Sequence, residues 1–136
     1  MEFVKFSLEG LDEFLTYFGL AIAFVAMFLV LYVRITPYHE LKLIREGNTA
    51  AAASLAGALL GFTLPLASSI IHSVHPWDMM IWSVIALVVQ LLVFVLVRFT
   101  LVNVTRRIPQ GEVASGVLLG AVSVCAGVLN AACMTY

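Results

Sequence analysis

Uncharged polar residues inside long apolar stretches are the side chains with which this sequence could do chemistry. Gln90 falls near the middle of one stretch and Asn130 near the end of another, while Thr63 and Ser68 belong to a third. If these stretches lie in lipid, such groups are costly and can mark the path of an ion or solute. Two interpretations stay open: hydrogen bonds between helices, each worth about 0.6 kcal/mol, or a narrow polar path lined by these four residues.

Two histidines, His72 and His75, lie between two apolar stretches and close to several methionines. Imidazole and thioether groups together suit a soft metal such as copper, but their spacing fits no closed metal site. The sequence also lacks a nucleophile elbow, a glycine-rich phosphate loop and a dinucleotide-binding fingerprint. We therefore expect no enzyme, no cofactor and no resident metal, with His72 and His75 as weak metal candidates.

The composition indicates which solvent surrounds these residues. Of 136 residues, 62% are hydrophobic and only 11% are charged, whereas soluble domains carry about 45–50% apolar and about 25% charged residues. A small soluble domain leaves too much of its surface in water to hide that much apolar area. The composition therefore predicts a membrane protein whose first partner is the lipid bilayer.

Four apolar stretches are long enough to cross a membrane, which takes about 20 residues each. No charged side chain falls in the middle of any of them. The sequence therefore predicts an all-α membrane protein with four transmembrane helices. The predicted spans are residues 14–35, 50–71, 79–102 and 113–135.

Basic residues follow the first and the third spans, and with four spans these two loops share one side. Short basic loops stay in the cytoplasm, so we expect both termini, including the short acidic N-terminal tail, in the periplasm. Tyr38, Leu41 and Ile44 recur every three residues in the first loop. This spacing favours a short helix on the inner membrane surface, with a solvated turn as the alternative. The basic residues assigned to topology and lipid headgroups are Arg34, Lys42, Arg45, Arg98, Arg106 and Arg107.

Two ordered motifs occur in both halves of the chain. Residues 31–36 (LYVRIT) and 95–100 (VLVRFT) end the first and third spans, and a Gly-xxx-Gly motif follows in each half. We interpret this order as an internal duplication, with residues 1–74 and 75–136 as two tandem two-span repeats. Both helical hairpins then have the same orientation, related by an axis along the membrane normal.

The glycines of the second and fourth spans are candidates for close helix packing. Two helices approach closely where their facing side chains are small. We expect these two spans to be interior, against each other or a neighbouring copy, and the first and third spans to face lipid more. The candidate packing residues are Gly57, Gly61, Gly116, Gly120 and Gly127.

The sequence resembles the YjfL-like family of small bacterial inner-membrane proteins, a domain of unknown function. The resemblance covers nearly the whole chain and rests on residues 34–51 (RITPYHELKLIREGNTAA), 59–61 (LLG), 91–94 (LLVF) and 130–135 (NAACMT). It implies a bacterial inner membrane, a two-span unit present twice and no established activity. It implies no catalytic or binding residues.

Two functions from different classes follow as expectations. The first is a non-enzymatic, oligomeric scaffold or interaction module in the cell envelope, with a homo-oligomer and other membrane proteins as partners. The second is a small channel or transporter subunit, with Gln90 and Asn130 near its path. The basic loops are too short for nucleic acid, so no nucleic-acid partner is expected.

Overall fold

The computed structural model describes residues 1–36 and 39–134 of the chain. Across these ranges it contains helices and no strand, as predicted for an all-α protein. The six helices are α1 (Glu2–Ile35), α2 (Glu40–Arg45), α3 (Thr49–His72), α4 (Pro76–Thr100), α5 (Val102–Arg107) and α6 (Val113–Cys133).

Four of these helices, α1, α3, α4 and α6, are long and apolar enough to cross a membrane. The prediction of four membrane-capable helices is confirmed, with ends shifted by three residues or fewer except at the start of α1. The predicted fourth span reaches residue 135, which lies outside the described residues, and α6 ends at Cys133. The third predicted span is interrupted at Leu101, after which α5 begins.

Local sequence signals explain where α3 and α4 begin. Gly47 takes a positive φ of 88° and ends the preceding turn, and the Asn48 side chain then accepts a hydrogen bond from Ala51 N at 3.0 Å. Pro76 occupies the first turn of α4, where its missing N–H is not needed, and His75 Nδ1 accepts from Trp77 N at 3.3 Å. Both helices therefore begin at capped, sequence-defined positions.

Helix α3 forms the centre of the bundle. Half of the residues in its most apolar 18-residue segment are buried. The corresponding share is 22% in both α4 and α6 and 11% in α1. Helices α3 and α6 run parallel, because Ala50 contacts Gly116 near their starts and Ser68 bonds to Ala131 near their ends. The interior position predicted for the second span is found. In a single chain, however, α6 packs one face against α3 and is otherwise as exposed as α4.

The first helix differs most from the sequence prediction. The residues predicted as a short acidic tail are helical and continuous with the span, so α1 has 34 residues and is about 51 Å long at about 1.5 Å per residue. The outermost α1 residue packed against the core is Tyr17. Since the hydrocarbon core is about 30 Å thick, the first part of α1 extends beyond the other helices.

The helix in the first basic loop forms, but its apolar residues do not follow the predicted face. Leu41 is exposed, Leu43 and Ile44 pack against the cores, and Glu40 is completely buried. The remaining residue of the predicted apolar face, Tyr38, lies outside the described residues. Helix α2 therefore packs against one end of the bundle and buries the carboxyl group of Glu40 there. The prediction of an amphipathic surface helix did not include this burial.

Helices α2 and α5 define what we call the basic end of the bundle. The loops that contain them are joined by Asn48 Nδ2, which donates to Ile108 O at 3.0 Å. The opposite end, where α1 begins and α3 turns into α4, is called the acidic end. Five of the six residues assigned to topology are exposed at the basic end, while Arg98 is partly buried.

Candidate functional site

A buried carboxyl cluster lies at the basic end, where four helices meet. It consists of Tyr32 and Thr36 at the end of α1, Glu40 at the start of α2, Ser54 in α3 and Arg98 in α4. Helix α1 ends at Ile35 and α2 turns back beneath it, so the first residue of α2 lies against the last turn of α1.

Hydrogen bonds satisfy both oxygens of the Glu40 carboxyl group. Tyr32 Oη donates to Glu40 Oε1 at 3.2 Å, and Thr36 Oγ1 lies 3.4 Å from Glu40 Oε2. Tyr32 Oη also lies 3.2 Å from Ser54 Oγ, which extends the network into α3. Because buried polar groups are costly without partners, this network ties α1, α2 and α3 together.

Burial gives Glu40 an unusual protonation equilibrium. Desolvation raises its pKa from 4.5 to about 7, although the Tyr32 hydroxyl, the charge of Arg98 and the Thr36 hydroxyl each act to lower it. Glu40 also borders an open surface depression lined by His39 and Lys42. Burial of Glu40 therefore costs less free energy when its carboxyl group carries a proton.

Aromatic side chains form the apolar wall beside the cluster. The Tyr32 ring lies 4.4 Å from the Phe94 ring, centroid to centroid. The Arg98 guanidinium carbon lies 4.3 Å from the centroid of the same Phe94 ring, a cation–π distance, and Arg98 Nη1 donates to Ile35 O at 3.3 Å. Arg98, assigned from sequence to topology alone, is thus part of this cluster.

Sequence reasoning missed Glu40, Tyr32, Thr36 and Ser54. A signal was present: Thr36 and Glu40 are four residues apart, and Glu40 begins an otherwise apolar and basic segment. Its burial depends on how α2 packs against the end of α1, which no periodicity in the sequence indicates.

The structure places all five candidate glycines at the contact between α3 and α6. A Cβ atom on Gly57 would overlap the backbone of Gly120, and one on Gly116 would overlap the backbone of Ala50. One on Gly127 would overlap the backbone of Gly61. The two helices therefore touch backbone to backbone and leave no space between them for a solute.

Three of the four candidate path residues are separate links between helices. Gln90 Nε2 donates to Ser123 O at 3.0 Å, Asn130 Nδ2 lies 3.5 Å from Ala86 O, and Ser68 Oγ lies 3.3 Å from Ala131 O. Thr63 lies on the exposed face of α3, where its hydroxyl bonds to Leu59 O within the same helix at 2.6 Å. Helical geometry therefore places Thr63 on a different side of α3 from Ser68.

The side-chain oxygen of Gln90 is buried, yet no described residue donates a hydrogen bond to it. The side chain is 2% exposed, and its Oε1 has no hydrogen-bond partner among the described residues. Its amide nitrogen is fixed by Ser123, so the unpaired oxygen does not result from the orientation of the amide. This oxygen is the strongest remaining sign of a polar ligand at membrane depth.

The weak metal candidates are held by local hydrogen bonds. His72 Nδ1 lies 2.9 Å from Ser68 O, and His75 caps α4. Within residues 1–36 and 39–134, no group of three or more His, Cys, Asp or Glu side chains is arranged to hold a metal ion.

These features define the class of the protein: an all-helical integral membrane protein whose four long helices are closed at one end by a buried carboxyl cluster. Residues 6–134 match the family described as Domain of Unknown Function (DUF350), so the chain belongs to that family.

Two curated relatives extend the comparison. Both are UPF0719 inner membrane protein YjfL, one from Escherichia coli strain K12 and one from Escherichia coli O157:H7. Each is 41% identical over 129 residues, which cover 95% of this chain and 98% of the relative. No solved structure matches the chain. With its four apolar helices, the chain is a multi-pass inner-membrane protein.

Proposed function

We propose that this chain is a non-enzymatic scaffold or interaction module of the inner membrane that acts as a homo-oligomer and also binds other membrane proteins. The observation that carries the proposal is the backbone contact between α3 and α6, where Gly57 lies against Gly120. This contact leaves no route for a solute between α3 and α6, while the outer surfaces of the bundle remain available for contact.

Oligomeric mass together with permeability tests this function. The purified chain in a mild detergent is expected to have a mass that is a multiple of 14.8 kDa, and liposomes containing it are expected to leak no faster than empty ones. A strictly monomeric chain at every concentration tested would contradict the proposal.

The second candidate is a channel or transporter subunit, and one observation favours it. The unpaired Oε1 of Gln90 is available to a water molecule or a cation at membrane depth. Because α3 and α6 touch and Gln90 is 2% exposed, such a path would have to run within one chain, between α4 and the α3–α6 pair. Ion flux in proteoliposomes that disappears in Gln90→Leu or Asn130→Leu would establish transport, and Thr63→Leu is the matched control on the exposed face.

Membrane orientation is part of the same proposal. Six of the seven Lys and Arg residues belong to the end formed by α2, α5 and the helix termini beside them, which favours that end in the cytoplasm and both chain termini in the periplasm. In a background with Cys125→Ala and Cys133→Ala, Lys42→Cys should react with an impermeant maleimide only after cell lysis. Lys5→Cys should react in intact spheroplasts. The reverse result would overturn the orientation.

The internal duplication also remains a proposal, and the arrangement of helices supports it. Each half consists of a long helix, a six-residue helix and a second long helix. A twofold axis along the membrane normal would bring equivalent residues together where α3 and α6 cross. Gly57 and Gly120 meet there and are 63 positions apart (120 − 57), close to the 64 positions that separate Arg34 from Arg98 (98 − 34). The two Gly-xxx-Gly motifs are 59 positions apart (116 − 57), so they are not the residues that such an axis would bring together.

A further inference from the structure

An apolar seam runs along the first half of α1 on a side that faces away from the bundle. Six residues form it, alternately four and three positions apart, and each is between 50% and 61% exposed. These residues, called here the α1 seam, are Val4, Leu8, Leu11, Leu15, Phe18 and Ile22.

Lipid can cover only part of the α1 seam. The Ser73 hydroxyl at the α3–α4 turn lies 3.4 Å from the Tyr17 hydroxyl, and Glu13 still lines a cavity with Ser73, so the other helices end at about the height of Glu13. The residues before Glu13 therefore extend about 18 Å past that height at about 1.5 Å per residue. Val4, Leu8 and Leu11 lie in this extension, beside charged residues that keep it in water.

The spacing of the seam specifies what kind of partner fits it. Alternating steps of four and three residues repeat every 3.5 residues on average, which keeps one stripe facing one other helix along a left-handed supercoil. All copies of an inner-membrane chain insert in the same direction, so a second copy offers a parallel helix in matching register. A flat lipid surface requires no such period.

The charges of the extension are placed so that two copies do not repel each other. Glu2, Glu9 and Glu13 lie on the side of α1 opposite the seam, and no charged residue occupies any seam position. The charges that flank the seam are one Lys5 and one Asp12. In a parallel pair Asp12 of one copy lies opposite the uncharged Ser7 of the other, so the two acidic groups do not meet across the contact.

From the period, the exposure and the charges we infer that the α1 seam binds the α1 seam of a second copy as a parallel helix pair projecting from the membrane. This inference rests on the proposed oligomeric scaffold and names the surface through which two copies associate. The bundle of α3, α4 and α6 stays outside the contact.

Disulfide crosslinking in native membranes tests the inference without purification. In a background with Cys125→Ala and Cys133→Ala, Leu8→Cys and Leu11→Cys each place one thiol in the seam. The matched control is Glu9→Cys, one residue away on the opposite side of the same helix. Since a disulfide needs Cα atoms within about 7 Å, mild oxidation should give at least about tenfold more dimer from the seam variants than from the control. Equal dimer from all three variants would overturn the inference.

A second measurement separates the seam from the oligomer as such. Leu8→Asp combined with Leu11→Asp puts two charges into the seam of an otherwise native chain, while Phe6→Asp puts one into the same extension away from the seam. The paired substitution should abolish the dimer in mild detergent, and Phe6→Asp should leave it unchanged, both at native helix content. An oligomer that survives the paired substitution would refute the seam yet leave the scaffold proposal standing. A native chain that is monomeric throughout would refute both.

Discussion

The two ends of the molecule are built in opposite ways. At the basic end, α2 folds back, Glu40 is completely buried and Asn48 connects the two loops. At the acidic end, α1 continues past its neighbours with Phe3 and Val4 86% and 61% exposed. Side chains at the basic end are therefore fixed by contacts within the chain. Those of the α1 extension at the acidic end are exposed and could contact another molecule.

The difference between the two ends predicts that stability and association depend on different residues. Substitutions in the bundle and at the basic end should change the free energy of unfolding, because they alter packing or buried polar groups. Substitutions in the α1 extension should leave unfolding unchanged and alter association instead. The effects on unfolding should be largest inside the bundle and smallest at the acidic end.

The largest effect is expected at the α3–α6 contact. Gly57→Ala adds a Cβ that overlaps the backbone of Gly120, and neither backbone can move without separating the helices. We expect a loss of about 3 kcal/mol or more in the free energy of unfolding, the upper range for overpacking. Denaturation by SDS in mixed micelles measures it.

The matched control for this change is Gly19→Ala in α1, where an added Cβ has no atom within 4 Å. This control should be neutral or slightly stabilising, because alanine favours helix more than glycine does. Similar losses for Gly57→Ala and Gly19→Ala would show that the backbone contact does not hold the bundle.

The pH dependence of stability should come next in size. Since burial raises the pKa of Glu40 from 4.5 to about 7, the folded protein binds this proton more tightly than the unfolded chain does. Its contribution is therefore complete below pH 4.5 and is lost as the pH rises through 7. About 3 kcal/mol should disappear across this window, at about 1.4 kcal/mol per pKa unit.

Substitution of the carboxyl group isolates this term. Glu40→Gln keeps the shape of the protonated side chain. The free energy of unfolding of this variant should therefore change little between pH 4.5 and 7. Glu46→Gln, an exposed residue of the same loop, should retain the wild-type slope. A Glu40→Gln variant that keeps the full pH dependence would assign it to other groups.

The sequence alone predicts the four long helices but not the buried carboxyl cluster, and the reason is physical. Apolar length predicted four membrane-capable helices, and the Asn48 and Pro76 signals gave the starts of α3 and α4, because these depend on a few neighbouring residues. The helical extension of α1 was missed because its charged residues were interpreted as a tail. Glu2, Glu9 and Glu13 share one side of the helix, and this spacing is the sequence signal for the extension.

The buried carboxyl cluster depends on contacts between residues far apart in sequence. Tyr32, Ser54 and Arg98 belong to three different spans, and only the packing of those spans brings them near Glu40 and Phe94. The glycine spacing identified α3 and α6 as helices capable of close approach. It could not specify their register or show that Thr63 faces outward.

A smaller effect is expected where the two loops of the basic end are joined. Asn48→Ala removes the cap on α3 and the hydrogen bond to Ile108 O. We expect a loss of about 1 kcal/mol in the free energy of unfolding, typical of a lost helix cap. Asn103→Ala, at an exposed position of α5, is the matched control, and an equal loss there would contradict a specific role for Asn48.

The smallest effect is expected at the acidic end. Phe3→Ala removes an aromatic ring that is 86% exposed, so the free energy of unfolding should change by less than about 0.5 kcal/mol. The same change in Phe28, which is 1% exposed and stacks on Phe62 with centroids 4.7 Å apart, should cost about 3 kcal/mol. Both measurements belong in dilute detergent, where copies are separated and only contacts within one chain contribute. If Phe3→Ala costs as much as Phe28→Ala there, the extension is stabilised by its own chain, and the division between a self-contained basic end and an unpartnered acidic end fails.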